Sequence, residues 1–110
     1  MGIELDKPWT PLTAEAVAAL PGQLGVYELA DEAGTVLRVG YAGGRTPFGL
    51  RSELGERLAE GGRARAFRVE VNHQYLTRWQ ELLMAHVARH GALPPEQPDP
   101  EARLGRLSPG

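Results

Sequence analysis

Two short apolar runs constrain this chain more than any other feature. Leu24-Gly25-Val26-Tyr27-Glu28-Leu29 and Val36-Leu37-Arg38-Val39-Gly40-Tyr41 are separated only by Ala30-Asp31-Glu32-Ala33-Gly34-Thr35. Each run has the length of a strand and pairs a glycine with an aromatic residue. A break that short joins antiparallel neighbours, because a parallel crossover needs a dozen residues or more. The two runs are therefore expected to form one hairpin, with Gly34 in its turn. Alternation along the first strand puts Gly25, Tyr27 and Leu29 on one face and Val26 on the other. In the second strand Leu37, Val39 and Tyr41 share one face, and Val36, Arg38 and Gly40 share the other. The hairpin thus brings Tyr27 beside the region of Gly40, and the remaining elements are arranged around it.

Residues 1–20 read as a lead-in. Pro8, Trp9 and Pro11 suggest an extended segment with Trp9 as an anchor, and Thr13 is the N-cap of a short helix over 14–20 that Pro21-Gly22 ends. Residues 42–49, with three glycines and a proline, form a loop. A helix over 50–60 carries Leu50, Leu54 and Leu58 on one stripe, and Gly61-Gly62 closes it. The third strand covers 66–72. Phe67, Val69 and Val71 lie on one face and Arg68, Glu70 and Asn72 on the other, which predicts a sheet covered on a single side. A helix over 76–90 has Leu76, Trp79, Leu83 and Val87 as its main stripe, widened by Met84, Ala85 and Ala88, with Gly91 as C-cap. The proline-rich segment 93–100 is expected to be extended, and the last residues to be a tail from which Leu104 and Leu107 could dock. The predicted class is α+β: a small three-stranded antiparallel sheet flanked by about three helices. The domain covers 21–97, after the lead-in and before a tail over 98–110.

With 110 residues the chain suits one domain with one modest core. No apolar run is long enough to span a bilayer, and no basic region precedes an apolar one at the N-terminus, so a cytoplasmic protein is expected. The absence of cysteine excludes disulfides and thiolate metal sites. A net charge of −2 argues against a strong electrostatic grip on nucleic acid, although a global sum can hide a local patch. Walker and dinucleotide motifs are missing. Ser52 and Ser108 have no neighbouring histidine–carboxylate pair in sequence. His73, His86 and His90 are too few and too poorly spaced for an all-histidine zinc site. His86 and His90 do stand four apart, within reach of one metal, but His90 lies near the buried stripe and reads as structural.

Three features have two readings each. The glycines of 42–49 could let backbone approach a phosphate, but a flexible connector is the favoured reading. Arg51 sits in the first turn of its helix, where a cation opposes the dipole. It either serves an anion outside the helix or is an exposed residue paired with Glu53, Glu56 or the tail. Glu81 is either a surface partner of Arg78 or a lone carboxylate at a cleft edge, fit for a divalent cation. Periodicity does not choose between these.

The order of the pieces resembles the GIY-YIG nuclease domain over residues 21–97. Gly25-Val26-Tyr27 matches the first signature strand, and Val39-Gly40 matches the last two positions of the second. Arg51 stands on the next helix and Glu81 on a later one. The resemblance implies a metal-dependent endonuclease that cleaves phosphodiester bonds in nucleic acid, DNA above all, with Mg2+ or Mn2+. It implies that Glu81 holds the metal, Arg51 neutralises charge on the phosphate and Tyr27 helps activate water. Arg45 and Arg57 are rivals of Arg51 and candidate nucleic-acid contacts. Arg38 occupies the place of the second signature's tyrosine, on the face of Gly40, while Tyr41 points to the other face. Gln97 is the only amide where the family often carries asparagine. Two alternatives stand beside cleavage. One is an inactive binding module with a basic pocket of Arg38, Arg51 and Arg57. The other is a small interaction protein with a protein partner or a homodimer face.

Overall fold

The computed structural model describes residues 4–98. In chain order the elements are β1 (Thr10–Pro11), α1 (Ala14–Ala18), β2 (Gly25–Ala30), β3 (Val36–Ala42), α2 (Gly49–Glu60), β4 (Ala66–Val71) and α3 (Tyr75–His90). The class is α+β. The sheet is antiparallel throughout, in the order β1-β4-β2-β3. It has four strands where three were expected. The addition is β1, which sets Thr10 opposite Phe67 and Pro11 opposite Ala66. Two residues are too few to show alternation, and Pro11, with no N–H to give, suits only an edge. The tail residues Leu104 and Leu107 lie outside the described residues.

The hairpin forms as expected. Tyr27 lies opposite Gly40 and Val26 opposite Tyr41. Asp31 organises the turn: its Oδ1 accepts from the N–H groups of Ala33 and Thr35 at 3.0 and 2.9 Å. Gly34 follows with φ of 89°, a conformation that suits glycine. Gly40 is glycine for a different reason. The Tyr27 ring lies directly over it, and a Cβ at that position would overlap Cζ and the hydroxyl.

The sheet is covered on both faces, not one. β2, paired with β4 on one side and β3 on the other, is buried at every position. On one face α1 and α2 pack Val17, Leu20, Leu50 and Leu54 against Tyr27, Leu29 and Phe67. On the other, α3 and the N-terminal Leu5 cover Val26 and Val39 with Trp79, Leu82 and Leu83. The charged face of β4 misleads because its charges are paired beneath the cover. Arg68 bridges Glu28 across the strands at 2.8 Å and stacks 4.1 Å from the Trp9 ring centre; Glu70 receives Arg78 of α3 at 2.9 Å. Buried charges persist only where such partners satisfy them.

Those pairs also set the rotation of α3. Its buried residues are Arg78, Trp79, Leu82 and Leu83, so the inward stripe is turned from the one expected. Leu76, Met84 and Val87 are left exposed. Met84 and Val87, with Trp79, Leu83 and Leu93, border an apolar groove of about 540 Å³. Gly91, in the left-handed conformation, ends the helix as predicted. The chain then turns at Pro95-Glu96 and straps the open edge of β3. Gln97 accepts from the Val39 N–H at 2.7 Å and donates to the Val39 carbonyl at 2.8 Å, while the Glu96 N–H donates to the Leu37 carbonyl. Unpaired edges invite foreign strands, and this strap occupies one. No helix among the described residues is long and apolar enough to cross a membrane.

Candidate functional site

The site is built from β2 outward. Alternation turns Tyr27 toward α2, and the facing Gly40 leaves room for its ring to lie flat on β3. Its hydroxyl therefore reaches the middle of α2, where it donates to Glu53 Oε1 at 3.0 Å. One turn further along, Arg57 approaches the same oxygen at 3.6 Å and bridges Glu56 and Glu60 at 3.2 and 3.1 Å. Both contacts to Glu53 fall on Oε1, so neither engages Oε2. Arg57 is itself buried, in the last turn of α2, where a cation complements the helix dipole.

Burial dominates the electrostatics of Tyr27. It pushes the phenol up to about 12, although Arg38 and Arg57 both pull the other way. The group is therefore a neutral hydroxyl donor at physiological pH. Arg38, opposite Leu29 on the same face of the hairpin, adds positive potential beside it. The Nε atoms of Arg38 and Arg57 are buried without a hydrogen-bond partner among the described residues.

Glu53 connects this buried group to the surface. Together with Arg45, Thr46, Gly43, Gly44, Tyr41 and Tyr75 it lines a cleft of about 310 Å³ at the end of β3. The loop after β3 is tied down at this point, since the Gly44 N–H donates to the Tyr75 hydroxyl at 3.3 Å and Tyr41 stacks on Tyr75 at 5.6 Å. The cleft thus has one carboxylate on its floor, an exposed arginine at its rim and phenol rings in its wall.

The other expected residues lie elsewhere. Arg51 turns away from Tyr27: its Nε donates to the Leu20 carbonyl at 3.0 Å, and its guanidinium lies 6.0 Å from the Phe48 ring centre. Its unfavourable place in the first turn of α2 is offset by serving the end of α1. Of the three candidate arginines on the loop and helix, Arg57 is the one beside Tyr27. Glu81 is exposed and bridged to Arg78 at 3.2 Å. Arg78 belongs to the α3 side of the sheet, because its partner Glu70 lies opposite Val26. Tyr27 and Glu81 are therefore on opposite sides. Gln97 is spent on the β3 edge, and Tyr41 faces α3 as strand alternation predicts, 5.2 Å from Trp79.

From the sequence Glu53 is expected only as a surface partner for Arg51. Its position three residues after Leu50 and one before Leu54 places it beside the buried stripe, but nothing local reveals that a tyrosine from another element arrives there. Among the described residues no three His, Cys, Asp or Glu side chains are grouped to hold a metal. A hard cation with oxygen ligands needs fewer from the protein when substrate phosphate supplies the rest. Glu53, with Oε2 not engaged among the described residues, fits that role; Glu81, held by Arg78 away from Tyr27, does not.

A family model described as a domain of unknown function (DUF7508) matches residues 3–89. No curated protein and no solved structure matches the chain.

Proposed function

The chain belongs to the DUF7508 family, whose description names no activity, and we propose from the cleft itself that it is a GIY-YIG-like domain acting on phosphodiesters of nucleic acid. One observation carries the reading: the Tyr27 hydroxyl, Glu53 and Arg57 form a continuous polar group whose carboxylate opens into a cleft rimmed by Arg45. The antiparallel hairpin that sets Tyr27 against Gly40 supports the reading. The roles differ from those expected. Glu53, not Glu81, is the carboxylate of the site. Arg57, not Arg51, is its inner cation, and Arg45 meets the backbone phosphates from outside.

Tyr27 contributes as a fixed donor. A phenol that stays protonated near neutral pH orients Glu53 through Oε1 and leaves Oε2 as the oxygen available to a cation. Mg2+ or Mn2+ bound at Glu53 would supply Lewis-acid stabilisation of the phosphate and leaving oxygen. Arg57 and Arg38 add fixed positive charge behind the carboxylate, in a low-dielectric setting where charge acts strongly.

The test is an assay on single-stranded, double-stranded and branched DNA, and on RNA, with Mg2+ or Mn2+. Glu53→Gln should reduce cleavage by about 100-fold or more, and Glu81→Gln should leave it within a few fold. Loss of cleavage in Glu81→Gln with retention in Glu53→Gln would overturn the assignment. A second reading, binding without cleavage, is favoured by the neutrality of Tyr27, which makes it a poor activator of water. It requires binding that falls in Arg45→Ala, with no turnover of any substrate.

A further inference from the structure

On the α3 side, away from the Glu53 cleft, we propose that His86 and His90 form a two-histidine site for a nitrogen-preferring divalent cation of the Zn2+, Ni2+ or Cu2+ class. The two residues stand one turn apart near the C-terminal end of α3, with ring centres 4.4 Å apart and planes inclined by 35°. Positions i and i+4 share a helix face, so their imidazoles can close on one ion. Both open onto a cavity of about 250 Å³ whose wall includes Glu4, Glu28, Arg68 and Arg89. His90 is exposed, contrary to the buried structural role its sequence position suggests.

Two features favour a cation here. Neither imidazole is hydrogen-bonded or ion-paired to another described residue, so the ring nitrogens are not committed to the fold. The arginines in the wall are already matched: Arg68 bridges Glu28 at 2.8 Å, and Arg89 bridges Glu4 at 3.4 Å. The cavity is thus close to electrically neutral and does not repel a cation. With two protein ligands the remaining positions are filled by water, for which the cavity has room. Imidazole pairs suit Zn2+, Ni2+ and Cu2+, whereas Mg2+ prefers oxygen. The site stands independently of the phosphodiester reading.

Titration of the untagged chain with Ni2+, Cu2+ or Zn2+ chloride, followed by calorimetry, tests the proposal. One ion should bind per chain, and each of His86→Ala and His90→Ala should weaken binding by about tenfold or more. His73→Ala should leave it unchanged, and Mg2+ should not compete. In Cu2+ electron paramagnetic resonance, coupling to two nitrogens should reduce to one in either variant. No saturable binding, or binding unchanged in His90→Ala, would overturn the site. Circular dichroism of both variants confirms that α3 is intact.

Discussion

Gly40 and Tyr27 are two halves of one feature. The ring occupies the space a side chain at position 40 would need, so the glycine is required by a contact and not by its backbone angles. Gly40→Ala must displace the ring, and with it the hydroxyl from Glu53. Overpacking of this kind costs about 1–3 kcal/mol, readable as a lowered urea midpoint with unchanged slope. Tyr27 carries a second prediction, in pH. Its phenol ionises near 12 when folded and near 10 when unfolded. Between those values the unfolded chain has released the proton and the folded chain has not. The contribution is therefore complete below pH 10 and is lost as pH rises toward 12, to a total of about 3 kcal/mol. Stability curves of the wild type and Tyr27→Phe should converge or cross over that interval. Parallel curves would show that burial does not hold the phenol neutral. Tyr27 itself was legible in the sequence; its partner was not, because Glu53 lies in another element and its neighbours give no sign of the contact.

At the level of elements, the charged pairs decide more than the apolar patterns. The outward-looking face of β4 sits under α3 because Glu28 and Glu70 each receive an arginine there. The same Arg78 fixes the rotation of α3, whose broad apolar arc permits several. β3 presents a comparable case at its edge. Val39 is bonded on both its N–H and its carbonyl by the Gln97 amide, and Trp79 Nε1 adds a third bond at 2.9 Å. Gln97→Ala should cost about 1–2 kcal/mol and speed hydrogen exchange at the Val39 amide more than at Val26 or Val69 in the strands within the sheet. Equal protection in the variant would mean that the strap does not hold the edge. The sequence marked 93–100 as extended from its prolines, but an amide that bonds a strand 58 residues earlier leaves no local trace.

For the molecule as a whole, the lead-in is structural. Leu5 is buried in the α3-side core, and Trp9 stacks on Arg68, so the residues before α1 close the second face of the sheet. Leu5→Ala should destabilise the whole fold by about 2–5 kcal/mol in a cooperative unfolding experiment, since a buried leucine leaves a cavity wherever it falls in the sequence. A loss confined to the N-terminal residues would argue that the segment docks without supporting the core.

The sequence alone determined the longer elements and their type, though not β1. Periods of two and of near four, glycine and proline at the breaks, and a short turn are local properties, and they specified the hairpin, the third long strand and the three helices. It also placed Tyr27 beside the region of Gly40, because strand pairing follows from alternation and a short turn, and the structure fixed the register that sets the two opposite each other. Tertiary structure decided which charged residues meet. Glu53 rather than Glu81 stands at Tyr27, Arg57 rather than Arg51 lies beside it, and the two faces of the sheet divide the charged residues that sequence order had placed in one set. The physical reason is that ion pairs and hydrogen bonds between elements depend on how each helix is rotated against the sheet. That rotation is fixed by the sum of the packing on both faces, which no single stretch of sequence contains.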